Sequence, residues 1–228
     1  MAEFRHFSDF EDLTEALSAE VSALLHAGVA ERDAASLIVP GGRTPGPFLS
    51  KLSHRAVAWD KVQISLSDER WVDATAPDSN EALVRRTLIA NAAAPARFVS
   101  LYTGAASPRD GLAEAETRVD AMPRPFDAVV LGMGDDGHFA SLFPGEKALE
   151  TGLDLSFKAL CVPAIGPSGG APRLSLTLAA LAASRHLYIL ATGAQKREVW
   201  QSAADDPSLP AHALHRLTGI PVDFLWCP

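Results

Sequence analysis

Residues 126–145 read FDAVVLGMGDDGHFASLFPG. The opening FDAVVL is a short, almost continuous apolar run, which predicts a strand covered on both faces. A turn follows it. Gly132, Gly134 and Gly137 complete G-x-G-x-x-G, the pattern that opens a dinucleotide-binding helix after a strand. Yet His138 stands directly behind the third glycine, where such a site needs no acid or base. Asp154 stands near the spacing of about 20 residues expected for a ribose-binding carboxylate. The helix that should separate the two is broken by Pro144 and Gly145, and the motif falls mid-chain rather than in a first βα unit. The turn therefore reads as a support for His138, placed near the first turn of a short helix over 139–142. A helix N-terminus disfavours the imidazolium and so helps keep the ring neutral and free to act as a base, while Asp136 stabilises the charge that forms when the ring takes a proton.

Outward from this stretch the same alternation recurs. Strand-like runs are expected at 36–39, 62–66, 97–101, 126–131, 158–162, 186–191 and 222–226. Helical patterns are expected at 10–26, 79–91, 109–122, 174–183 and 194–204, with Ser79 as an N-cap. Strands alternating with helices predict an α/β fold with a mostly parallel central sheet and helices on both faces. Neither an internal repeat nor a clear linker divides the chain, so residues 1–228 are expected to form one domain.

Of the 228 residues, 47% are hydrophobic, enough for a sizeable core, and the formal charge is −8. Nucleic acid and anionic membranes need a basic footprint that is missing here, so the expected partner is a small molecule. No apolar stretch reaches the roughly 18 residues of a membrane span, and MAEFRHFSDFEDL lacks an apolar leader. A cytoplasmic protein, monomer or homodimer, is expected. Cys161 and Cys227 form no CxxC pair and read as buried thiols.

In parallel sheets ligands gather where strands end and loops lead into helices. Five such ends carry glycine or charge. After 36–39 comes PGGRTPGPFL: Gly41 and Gly42 free backbone N–H groups for an anion, Arg43 adds charge, and Thr44 can cap the next helix. Without a P-loop lysine a nucleoside triphosphate is disfavoured. Alone, the loop serves equally as an ordinary turn. After 62–66 comes SDERW, where Asp68, Glu69 and Arg70 in isolation would be a solvated turn. Their shared edge with the glycine loop gives them weight. Arg173, at the head of the 174–183 helix, and Lys196 in TGAQKRE complete the set of cations, which could supply a bidentate clamp and a point charge for a phosphate.

Two other motifs are set aside. Gly166-Pro167-Ser168-Gly169-Gly170 matches G-x-S-x-G, but prolines crowd it and no HGGG-type oxyanion motif accompanies it. His212-x-x-His215 has helix-face spacing but lacks a third ligand, so no metal is expected.

Taken in order, GGRTP (41–45), SDERWV with SN (67–72, 79–80), LGMGDDGHFASLFPG (131–145), PRLSLTLAAL (172–181) and TGAQK (192–196) resemble the 6-phosphogluconolactonases. Glucosamine-6-phosphate deaminases and, more distantly, ribose-5-phosphate isomerases form the wider group. The resemblance implies a Rossmann-like sheet, no cofactor, and hydrolysis of 6-phospho-D-glucono-1,5-lactone in the pentose phosphate pathway. It makes His138 the general base, oriented by Asp136, with Asp68 beside them. Gly41, Gly42, Arg43, Thr44, Arg173 and Lys196 would surround the phosphate, with Arg70 joining them or facing the sugar. Pro40 and Asp73 depart from the pattern beside its motifs. In the deaminases the matching stretch resembles GxGxDGHIAFNEP, with a glutamate five residues after the histidine; here that position is Phe143. Ring opening and proton shuttling need that acid, and lactone hydrolysis does not. A deaminase or isomerase relative and a non-enzymatic sugar-phosphate sensor are the alternatives. The sensor would need a DNA-binding segment, which the acidic residues ahead of the first expected strand do not supply.

Overall fold

The computed structural model describes residues 2–228, with the side chain of Ser168 outside the described set. The serine of the elbow-like segment therefore lies outside the described residues. In chain order the elements are β1 (Glu3–His6), α1 (Phe10–Arg32), β2 (Ala35–Val39), α2 (Gly46–Ser53), β3 (Val62–Leu66), β4 (Asp68–Arg70) and α3 (Asn80–Thr87). There follow β5 (Arg97–Phe98), α4 (Pro108–Asp120), β6 (Ala128–Gly132), α5 (Lys147–Leu153), β7 (Cys161–Ile165) and β8 (Pro172–Leu176). The chain closes with α6 (Leu178–Ala182), β9 (Leu187–Thr192), α7 (Ala194–Ala203), α8 (His212–His215) and β10 (Val222–Cys227).

Seven strands form the central sheet in the order β1-β10-β9-β6-β2-β3-β5. Every neighbouring pair in it is parallel, with helices around the sheet. All residues of β2 and β10 are buried, which is why their sequences run apolar instead of alternating. From β2 the chain moves outward through β3 to β5; from β6 it moves the other way to β9 and β10. The loops after β2 and β6 therefore diverge, and the crevice between them is the switch point where ligands settle in such sheets.

Helix α1 shows how local sequence fixes an element. Asp9 caps it by accepting from the Asp12 N–H at 2.9 Å, and Asp33 ends it in a left-handed conformation at φ 58°. Leu13, Leu17, Val21 and Leu25 bury one face at helical spacing. It runs past the expected end at 26 because Gly28 packs directly on Asp127, and Arg32 then reaches that fully buried carboxylate at 2.6 Å.

Several expectations need correction. Residues 174–183 are not one helix: β8 occupies 172–176, and α6 starts only where the Thr177 hydroxyl accepts from the Ala180 N–H. The 158–162 run is displaced to β7, which pairs antiparallel with β8. Residues 68–70 are strand β4, completing a separate three-stranded sheet, β4-β8-β7. The expected strand at 97–101 shrinks to Arg97–Phe98. The first strand is β1, not 36–39: Phe4 stacks on Phe224, and Arg5 lies between Glu20 and Asp223, contacts that a four-residue window cannot reveal.

Candidate active site

A cleft of about 430 Å³ opens over the switch point. Loop 40–45 from β2, Ser67 and Asp68 beyond β3, Gly132–Gly134 and His138 after β6, and Lys196 beyond β9 all line it. The small sheet closes one side. Asp68 pairs with Ser175 and Arg70 with Arg173 across β4 and β8, so their side chains share a face. That face carries Asp68, Arg70 and Arg173 into the cleft, while Glu69 and Leu174 at the alternate positions are buried on the other side.

His138 is fixed on three sides. Asp136 Oδ1 lies 2.5 Å from Nδ1 and also accepts the His138 backbone N–H at 3.1 Å. Phe143 lies against the ring, with centroids 4.4 Å apart. Behind it, a Cβ on Gly134 would stand 2.1 Å from Nδ1, so only glycine leaves the ring its place. The glycine pattern thus serves the histidine's packing. No helix follows: residues 139–142 form a tight turn, with Ala140 at φ 49° and the Leu142 N–H donating to the Phe139 carbonyl at 3.1 Å. The expected help from a helix N-terminus is absent, and the electrostatic support of the ring comes from Asp136. Burial pushes Asp136 up, but the hydrogen bonds from the His138 side chain and backbone outweigh it and hold the carboxyl below its ordinary range. With Nδ1 engaged by a carboxylate, the favoured tautomer carries its proton there and leaves Nε2 basic.

Asp68 is almost buried and its carboxylate is occupied. It accepts from Ser141 Oγ at 2.5 Å and Ser67 Oγ at 3.2 Å, with Arg173 Nη1 at 3.4 Å. Ser141 ties the His138 turn to the small sheet, since its own N–H donates to Ser175 Oγ at 3.1 Å. Arg173 stands over the Phe143 ring, 5.4 Å from its centroid, and its buried Nε has no partner among the described residues. Burial works against the Arg173 charge and Asp68 works for it. Lys196 follows Gly193, which turns into α7 at φ 86°; its ammonium donates to the Met133 carbonyl and lies 3.4 Å from Asp135.

Gly41, Gly42, Arg43 and Thr44 line the opposite wall, with Gly42 at φ 89°. Thr44 does not cap the next helix. Pro45 precedes α2 without a side-chain cap, which leaves the Thr44 hydroxyl exposed in the loop. Of the residues expected from sequence, the structure brings all to the cleft wall except Asp136, which stands behind His138. Asn80, Ser67 and Ser141 were missed. Ser79-Asn80 marks a helix start in the sequence, but nothing local says that its asparagine faces the glycine loop at Gly41. Among the described residues no group of three or more His, Cys, Asp or Glu side chains could hold a metal ion, and no helix is long and apolar enough to cross a membrane.

Fold and site together define a Rossmann-like α/β protein whose switch-point cleft combines a histidine–carboxylate pair with gathered cations. A family model described as Glucosamine-6-phosphate isomerases/6-phosphogluconolactonase matches residues 8–222, and the chain belongs to that family. It is 39% identical over 221 residues to a 6-phosphogluconolactonase of Pseudomonas putida, covering 97% of this chain and 91% of that protein. With a 6-phosphogluconolactonase of Caulobacter vibrioides it shares 40% over 222 residues, covering 96% and 95%. Among solved structures, a 6-phosphogluconolactonase from Shewanella baltica OS155 superposes with a TM-score of 0.95 at 36% identity, covering 100% of this chain and 98% of that one.

Proposed function

We propose that this chain hydrolyses 6-phospho-D-glucono-1,5-lactone to 6-phospho-D-gluconate, the second step of the oxidative pentose phosphate pathway, in the cytoplasm. The observation that carries the mechanism is the 2.5 Å pair of His138 Nδ1 and Asp136, set in a cleft that also holds Arg43, Arg70, Arg173 and Lys196. Residues 1–228 act in this reading as one domain. It acts as a monomer or a homodimer.

The 6-phosphate is held by the N–H groups and hydroxyl of Gly41, Gly42 and Thr44 together with Arg43, Arg173 and Lys196. Charge-assisted bonds of this kind are about twice as strong as neutral ones. His138 Nε2 takes a proton from water as the water oxygen bonds to C1. The carbonyl oxygen becomes an oxyanion, stabilised by N–H groups or a cation; one such donor is typically worth about 3 kcal/mol. When the oxyanion collapses, the C1–O5 bond breaks, and the proton on Nε2 passes to O5 as the ring opens. The new carboxylic acid then ionises. A δ-lactone hydrolyses unaided, so positioning, one base and one oxyanion donor suffice. Phe143 argues against a deaminase: the position against the His138 ring is a hydrocarbon face that can pass no proton. The test generates the lactone in situ by oxidising glucose 6-phosphate. Its loss should run far faster with the protein than in buffer, and ammonia release from glucosamine 6-phosphate should be nil.

A further inference from the structure

Behind the cleft wall lies a buried group that the lactonase chemistry leaves unused. Glu69 is fully buried on the far face of β4. Its carboxylate accepts from the backbone N–H groups of Arg70 at 2.8 Å, Asn80 at 2.8 Å and Glu81 at 2.7 Å, and from Ser79 Oγ at 3.0 Å. Three of those donors form the start of α3, so Glu69 locks the first residue of that helix to β4. The locked residue is Asn80, itself almost buried. Its Nδ2 donates to the Asp68 carbonyl at 2.8 Å, and its Oδ1 accepts from Arg70 Nη1 at 2.9 Å. The amide also abuts the glycine loop, where a Cβ on Gly41 would stand 1.9 Å from Oδ1. One side chain thus touches Asp68, Arg70 and Gly41, and every polar atom it spends goes to protein.

We propose that Asn80 is a positioning residue for substrate binding: together with the Asp78 carbonyl, which accepts from the same Arg70 Nη1 at 2.8 Å, it holds the Arg70 guanidinium in place beside loop 41–45, so that an arriving anion meets a preset cation. The proposal rests on the reading of this cleft as a sugar-phosphate lactone site. An arginine loses much rotamer freedom when a ligand fixes it, and fixing it beforehand moves that cost out of the binding step. Asn80 acts here through Arg70, without bonding to the ligand itself.

A double-mutant cycle tests this, reading KM and kcat for the lactone and Kd for 6-phosphogluconate by calorimetry in the wild type, Asn80→Ala, Arg70→Ala and the double variant. Asn80→Ala should raise KM and Kd together by about tenfold and leave kcat within about threefold. In the Arg70→Ala background the same change should cost less than about twofold, because coupled residues are not additive. Equal costs in both backgrounds would mean that Asn80 binds ligand itself or only supports the fold, and the proposal would fall. So would an unchanged Kd, or a loss confined to kcat. A wild type that binds 6-phosphogluconate and turns over the lactone while the cycle is additive overturns the positioning role alone. A wild type that neither binds nor hydrolyses overturns the lactonase reading and the proposal with it.

Discussion

At His138 the chemistry turns on which ring nitrogen is free. Asp136 occupies Nδ1, and Gly134 and Phe143 leave the ring little room to rotate away. Asp136→Asn keeps the size of the side chain but removes the charge that supports the imidazolium and selects the tautomer. It should lower kcat by about a hundredfold or more and change KM little, as steady-state kinetics on freshly made lactone would read. A kcat within twofold of wild type would remove Asp136 from the mechanism. Both members of this pair were legible in GDDGH, because two residues of separation make a local contact. Asn80 and Ser141 were not. Ser141 meets Asp68 across 73 residues of chain, a contact only the assembled fold creates.

At the scale of elements, the misread segment is PRLSLTLAAL. Its leucines at 174, 178 and 181 satisfy a helical period, yet the first half alternates, with Arg173 and Ser175 on the cleft side and Leu174 and Leu176 inward. Pairing with β4 and β7 decides in favour of the strand. The 139–142 turn likewise replaces a helix because it is tied to that small sheet through Ser141. Ser141→Ala would leave the buried Asp68 short of a donor, and urea denaturation should show a loss of about 1–3 kcal/mol with the m-value unchanged. A stability equal to wild type would mean that the tie between turn and sheet is not a real restraint. The parallel sheet itself was readable, since strands buried on both faces leave continuous apolar runs. Strand β1 was not, because it pairs with β10, and Phe4 stacks on Phe224, only at the far end of the chain.

Across the whole molecule, that edge is held by charge. Glu20 meets Arg5 at 2.6 Å, and this hydrogen bond outweighs burial to hold its carboxyl below the ordinary range. A carboxyl depressed by folding contributes stability that is full above its unfolded value and is lost as pH falls through its folded value. Replacing the partner, as in Arg5→Met, should lower Tm at neutral pH. It should also flatten the fall of Tm between about pH 5 and 3, where unpaired carboxylates titrate. An unchanged acid slope would contradict the assignment. The same weighting of local against distant contacts explains the active site. A chain of net charge −8 brings four cations to one cleft: Arg43 and Lys196 lie just past the ends of β2 and β9, which the sequence displays, while Arg70 and Arg173 sit within β4 and β8 and reach the cleft through a register that it does not display. The central claim is that His138 activates water against a lactone bound there. Its most direct test is the rate of 6-phosphogluconolactone loss, followed by NMR from enzymatically generated δ-lactone, for wild type and His138→Ala. The wild type should exceed the buffer rate by orders of magnitude, and His138→Ala should lose about a hundredfold or more of that kcat. A variant as fast as the wild type, or a wild type no faster than buffer, would contradict it.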